Sequence, residues 1–139
     1  MSGSIFVDTN ILIYAHDLDA GSKRKIAVAI MEELWEHQTG VISTQVLQEF
    51  YVNVTRKISN PIPKTKARGI IENYRYWQVE QNSPATILSA SEIEERYMLS
   101  FWDSLIIAAA SKANATKILT EDLNHGQVTA GILIENPFR

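Results

Sequence analysis

The sequence contains no cysteine. That excludes a disulfide scaffold, a thiolate metal site, a cysteine nucleophile and an iron–sulfur centre. It also fits a reducing compartment, and a cytoplasmic location is expected. Long apolar runs are lacking too. The longest are six residues, at 26–31 and 105–110, so nothing reads as a membrane span. The first residues, Met-Ser-Gly-Ser-Ile-Phe-Val-Asp, have neither a basic start nor a long apolar stretch, and a signal peptide is not expected. Glycine is sparse and scattered, with six in all, so there is neither a GxGxxG turn nor a P-loop. A G-x-S-x-G elbow is missing as well. His16, His37 and His125 show no H-x-x-H or H-E-x-x-H spacing, which reads as surface or loop histidine rather than zinc ligation. Positive charge is the minority sign, 13 Lys and Arg against 16 Asp and Glu. A globally basic nucleic-acid binder is excluded, while a local basic patch stays open.

What remains is an ordinary globular composition, 45% hydrophobic and 21% charged over 139 residues, which points to one domain spanning 1–139. Residues 4–7 read as a short buried strand ending at Asp8, with a helix following through 11–15. Ile26, Ile30, Met31, Leu34 and Trp35 recur at helical spacing, so 23–37 is a helix closed by Gly40. Residues 41–42 form a second strand. Residues 44–58 form one helix with Val46, Leu47, Phe50, Tyr51, Val54 and Ile58 on a single stripe. Ser59-Asn-Pro-Ile-Pro63 breaks the pattern. A helix over 64–76 follows, with a candidate third strand at 77–79 and a helix from Ser83-Pro84 to about Met98. The 105–110 run is apolar on every side and predicts a central helix. Strands at 117–119 and 132–134 complete the chain. Strands alternating with helices imply a mostly parallel sheet of four to five strands with helices on both faces. In such sheets ligands sit beyond the carboxyl ends of the strands, at the point where strand order reverses.

Four acids occupy awkward places. Asp8 directly follows Ile-Phe-Val, where it doubles as a helix N-cap. Asp103 lies between Phe101-Trp102 and the apolar helix, inside an S-x-x-D capping pattern begun by Ser100. Asp122 follows the fourth strand and Thr120. Glu49 points away from the apolar stripe of its helix, so periodicity alone makes it a solvated residue. No Lys or Arg stands beside any of them in the sequence. Two carboxylates about 4 Å apart repel by roughly 4 kcal/mol at an effective dielectric near 20. A cluster of them must protonate, separate or bind cations. Oxygen-only donors favour Mg²⁺ or Mn²⁺ over zinc, and the bottom-up expectation is metal-assisted phosphodiester hydrolysis.

At these residues the sequence resembles the PIN-domain nucleases, and among them the VapC-type toxins. The matching stretches are Phe6-Val-Asp-Thr-Asn-Ile-Leu12, Ile42-Ser-Thr-Gln-Val-Leu-Gln-Glu-Phe50, Ser100-Phe-Trp-Asp-Ser-Leu-Ile-Ile-Ala-Ala-Ala110 and Ile118-Leu-Thr-Glu-Asp-Leu-Asn-His-Gly-Gln127, with a closing Asn136-Pro-Phe138. The resemblance implies a three-layer α/β/α fold. It implies an Mg²⁺- or Mn²⁺-dependent endoribonuclease acting as the toxin of a type II toxin–antitoxin pair, with an RNA substrate, a homodimer and a cognate antitoxin that blocks the site. The family's acidic quartet falls on Asp8, Glu49, Asp103 and Asp122 as catalytic and metal-holding residues, and Asn10 and Thr120 match polar supporting positions. Residues 59–98 match the family pattern poorly.

Six cations, Arg56, Lys57, Lys64, Lys66, Arg68 and Arg75, crowd one stretch against a single acid, Glu72. That stretch nets +5 and the rest of the chain −8, which makes it the candidate RNA path. Tyr74, Tyr76 and Trp77 are available there to stack a base or to pack in the core. Two rival readings fit the same fold. An aspartyl-phosphate phosphatase or receiver also places Asp at a strand end, but Asn10 stands where a phosphatase wants a second Asp, and the early acidic pair of a receiver is missing. A non-catalytic RNA or protein interaction module is the other.

Overall fold

Strand β1 (Ser4–Val7) ends in Phe6 and Val7, both fully buried. Asp8 then stops the strand and starts α1 (Thr9–His16): its backbone is extended and its carboxylate accepts the Thr9 N–H, a helix N-cap. The amphipathic α2 (Ser22–His37) closes at Gln38 in the left-handed region, and β2 (Gly40–Ser43) is buried throughout. Ser43 caps α3 (Thr44–Val52) by accepting the Val46 N–H. A π-helical turn (Asn53–Lys57), α4 (Lys64–Tyr74), β3 (Gln78–Glu80), α5 (Pro84–Tyr97), α6 (Phe101–Lys112), β4 (Ala115–Leu119), β5 (Val128–Thr129) and β6 (Ile132–Glu135) follow. This is a computed structural model describing residues 3–139. No helix among the described residues is long and apolar enough to cross a membrane.

The strands form one sheet in the order β3-β2-β1-β4-β6-β5. Every pairing is parallel except β5 with β6. Helices α2 and α3 pack on one side of β2, with α1 and α4 against them, while α6 packs on β2, β3 and β4 and carries α5. The result is a three-layer α/β/α sandwich. From β1 the chain winds outward through β2 to β3, then crosses the other face and resumes at β4 on the opposite flank of β1. Strand order therefore reverses between β1 and β4, and a crevice opens beyond their carboxyl ends.

Two departures from the sequence reading have simple causes. The sheet has six strands rather than four to five, because β5 is a two-residue return onto β6 through Ala130 and Gly131, both at positive φ. That tight hairpin is too short to show periodicity. The helix expected over 44–58 changes at Asn53. There the Asn53 amide side chain donates to the Glu49 carbonyl at 2.8 Å, and the Ile58 N–H reaches back five residues to the Asn53 carbonyl at 3.1 Å. The widened turn re-aims everything after Val52.

The aromatics of the basic stretch divide. Tyr74 is 3% exposed and Trp77 is buried; both pack with Trp35, Trp77 edge-on to each of the other two and Tyr74 tilted against Trp35. They are core residues and unavailable for stacking a base, whereas Tyr76 is 83% exposed. Gly40 lets β2 pass under this cluster, since a Cβ there would press into the Trp77 ring. Gly40→Ala is expected to destabilise the fold by about 1–3 kcal/mol, read as a lower urea midpoint at unchanged slope.

Candidate functional site

Register builds the crevice. Val7 pairs with Leu119 across β1 and β4, so the next residues, Asp8 and Thr120, stand side by side where the strands end. Each continues the ladder by one bond: the Asp8 N–H donates to the Leu119 carbonyl, and the Thr120 N–H to the Glu135 carbonyl, both at 3.0 Å. The Thr120 hydroxyl donates to Asp8 Oδ2 at 2.8 Å, and the Thr9 N–H donates to Asp8 Oδ1 at 2.7 Å. Asn10, the second residue of α1, donates from Nδ2 to Asp122 Oδ2 at 3.1 Å and to Thr120 Oγ1 at 3.4 Å. The Asp122 N–H donates to the same Thr120 oxygen at 3.1 Å. Thr120 thus ties the two aspartates together, and Asn10 and Thr120 are both part of the site's hydrogen-bonded frame.

Glu49 arrives from α3, forty residues away in the chain. Its Oε1 accepts the Thr9 hydroxyl at 2.6 Å, so it is half-buried and held rather than free in solvent. Thr9 is the residue that sequence reasoning passed over; the only signal was a hydroxyl beside Asp8. Thr9, Asn10, Glu49, Asn53, Lys57 and Asp122 line a crevice of about 500 Å³. Lys57 is the only member of the basic stretch to do so. The π-helical turn carries it there.

Asp103 sits in the first turn of α6. Because α6 feeds β4 through a tight turn at Ala113 and Asn114, it runs antiparallel to that strand, and its N-terminus lies at the carboxyl edge of the sheet. The Gln45 amide, at the start of α3, donates to the Trp102 carbonyl and fixes the neighbourhood. Ser100 Oγ accepts the Asp103 N–H, so the capping interaction read from the sequence is present. The half-buried Asp103 side chain makes no hydrogen bond to the other acids among the described residues. Asp8, Glu49 and Asp122 are linked through Thr9, Asn10 and Thr120; Asp103 shares their edge but lies outside that hydrogen-bonded frame.

Electrostatically, Asp8 is the unusual member. It is 5% exposed. Burial pushes its carboxyl up to about 7, against hydrogen bonds from Thr120 and Thr9 that lower it, with the charges of Asp122 and Glu49 adding to the rise. The ion pairs among the described residues are Lys23–Glu121, Arg75–Glu72 and Lys117–Glu135, and none includes a member of the quartet. Glu121, next to Asp122, shows the contrast: it turns away, accepts the Tyr14 hydroxyl and pairs with Lys23 at 2.9 Å. No three acid or histidine side chains among the described residues converge tightly enough to enclose a metal unaided. A buried acid without a counter-ion, beside further oxygen donors, nevertheless fits Mg²⁺. That ion takes one or two carboxylates and keeps several waters.

The profile of the PIN domain matches residues 5–130. No curated protein is detectably similar in sequence. Among solved structures, the chain is similar to a toxin–antitoxin complex from Klebsiella pneumoniae, with a TM-score of 0.71 and 22% identity over 96% of this chain and 98% of that one. It is similar to the DNA-bound VapBC of Salmonella typhimurium, with a TM-score of 0.67 and 16% identity over 97% and 98%. It is also similar to Mycobacterium tuberculosis VapC20, described as a sarcin–ricin loop cleaving toxin, with a TM-score of 0.60 and 22% identity over 83% and 87%. At these identities the likeness is one of fold. With the acids standing where the strand order reverses and the profile covering nearly the whole length, the chain belongs to the PIN domain family.

Proposed function

We propose that this protein is a divalent-metal-dependent endoribonuclease, and that it is the toxin of a type II toxin–antitoxin pair. The observation that carries the reading is the buried, cation-free Asp8, framed by Thr9 and Thr120 and facing Glu49 and Asp122. Asp8, Asp103 and Asp122 would hold Mg²⁺ or Mn²⁺, directly or through water, with Glu49 beside them. When bound, the cation supplies positive charge at the scissile phosphate and makes water a stronger acid. The chain's own groups do the rest. Glu49, fixed by Thr9, accepts a proton from the attacking water. Asn10 and Thr120 hold Asp122 and Asp8 in place. Lys57 offers its ammonium to a phosphate entering the crevice. In-line attack by water forms a new P–O bond and breaks P–O3′, and the leaving 3′-oxygen takes a proton from solvent, which leaves 5′-phosphate and 3′-hydroxyl ends.

The test is incubation of structured RNAs with Mg²⁺ or Mn²⁺, with EDTA as the control. End-labelled cleavage that needs the metal supports the proposal. RNA binding without cleavage under any cation would favour the non-catalytic module.

Lys57 gives a sharper expectation. Lys57→Gln should weaken binding of a non-cleaved RNA and flatten the salt slope by about 0.7, the value for one phosphate contact on a single strand. Arg75→Gln should do less, because Arg75 is already spent on Glu72 at 2.8 Å. Equal effects from the two would remove Lys57 from the RNA path. The antitoxin and the homodimer complete the proposal. The toxin–antitoxin assemblies among the structural neighbours support the first. The exposed Leu88, Met98 and Trp102, on and beside α5, supply apolar surface for the second.

A further inference from the structure

A second cavity, of about 120 Å³, lies where the end of α1 meets α2 and α4. Its polar lining is His16, Arg24, Asn60 and Lys66. All four side chains can donate hydrogen bonds, and none is an acid. Arg24 Nε is buried and has no hydrogen-bond partner among the described residues. Neither Arg24 nor Lys66 is in an ion pair among the described residues. Beside the lining, the Asn60 amide already donates to Asp19 Oδ2, leaving its second N–H free to donate. Burial, then the charges of Lys66 and Arg24, push the His16 imidazole below its usual range, and its Nε2 is already engaged with the Tyr74 hydroxyl at 3.3 Å, which leaves Nδ1 for a ligand. A buried guanidinium N–H left without an acceptor is costly, and the cost is recovered when an anion arrives. The space holds about four waters at ~30 Å³ each, or one tetrahedral oxyanion.

We infer that this cavity binds a phosphate group, with Arg24 and Lys66 on its oxygens and His16 and Asn60 as further donors. The group belongs either to the backbone of a bound RNA or to a free phosphate or nucleotide. Asn10, at the crevice, and His16, at this cavity, are about 9 Å apart along the axis of α1. Six residues also turn the helix by about 240°, so a strand lying in the crevice would have to pass around α1 to reach both. The inference does not rest on the nuclease reading, because binding is read on the protein without turnover.

The probe is inorganic phosphate, added in EDTA and followed by the ring C–H resonances of His16. Phosphate should shift those resonances in a saturable way and raise the pH at which the ring titrates. Arg24→Gln should weaken binding by about tenfold or more, the loss expected for a charge-assisted bond. Lys66→Gln, an exposed position that leaves packing alone, should weaken it in the same direction. Arg96→Gln, on the opposite face, should not. A second arm adds a single-stranded RNA that is not cut in EDTA. If phosphate competes with it and Arg24→Gln weakens it, the source is the RNA backbone. If RNA affinity is unchanged while phosphate binding falls, the source is a free phosphate group. No His16 shift with phosphate, or an equal shift in all three variants, overturns the inference.

Discussion

Asp8→Asn is expected to abolish RNA cleavage while leaving the protein folded and, above pH 7, more stable than the parent. The loss should be on the order of 10³-fold or more. Removing the negative charge that draws a cation to the scissile phosphate forfeits several kcal/mol of charge stabilisation, at tenfold in rate per 1.36 kcal/mol. The gain in stability has a separate origin. The unfolded carboxyl titrates near 3.8 and the folded one at about 7, so between those values the folded state holds a proton that the unfolded state lacks. Stability from this group is complete below pH 4 and is lost as pH rises through 7. Above pH 7 the shift corresponds to a penalty on the order of 4 kcal/mol, which asparagine avoids.

Part of that gain is returned. Thr120 Oγ1 already accepts from Asp122 and Asn10, and the asparagine amide would crowd it as a further donor. Asparagine remains a good N-cap for the Thr9 N–H. A net gain of about 1–3 kcal/mol, or roughly 3–10 °C in Tm at pH 8, should shrink to nothing at pH 4. Thermal melts of both proteins in EDTA at pH 4, 6 and 8, paired with cleavage assays at pH 8, check the two halves independently. Full activity in the variant removes Asp8 from the chemistry. A Tm difference that ignores pH removes burial as the cause of its raised pKa.

The sequence shows Asp8 and Asp122 readily because each ends a strand, and a parallel sheet sends strand ends to one edge. Glu49 is less legible. Its helical position points to solvent, and what holds it is a hydroxyl forty residues away, which no local period reports. Lys57 is hidden for another reason. The stretch from Thr44 to Ile58 reads as one stripe at a period of 3.6, and a π-helical turn adds a residue without disturbing the apolar pattern enough to show. Tyr74 and Trp77 sit within a run of cations, yet they face the core under Trp35. Net charge along a segment says nothing about which side of a helix carries it. The strand β5 owes its existence to a two-residue turn at positive φ rather than to any apolar run. Asp103 is where sequence and geometry differ most in emphasis: its motif is clear and its cap is formed, yet its carboxylate is not part of the hydrogen-bonded frame that links the other three.

The burial of Asp8 sharpens the expectation for metal removal. EDTA should eliminate cleavage, with Mg²⁺ or Mn²⁺ restoring it, and Mg²⁺ should raise Tm far more at pH 8 than at pH 5. At pH 8 the Asp8 carboxylate is charged, buried and without a cationic partner, so a divalent ion binds the folded state alone and contributes about 2.7 kcal/mol at one hundred times its Kd. Below pH 7 a proton competes for the same oxygens. The apparent Kd for Mg²⁺ should weaken by roughly tenfold per pH unit from 7 towards 5, as for release of one proton on binding. Titration calorimetry across that range gives the slope directly. Asp8→Asn should bind weakly at every pH with no slope, whereas Asp103→Asn should lower affinity yet keep the slope, because the proton released on binding comes from Asp8. A flat pH dependence in the parent protein would mean that the ion avoids Asp8. Cleavage surviving in EDTA would mean that the strand-end acids serve something other than a metal, and the proposal of metal-dependent hydrolysis would fall with them.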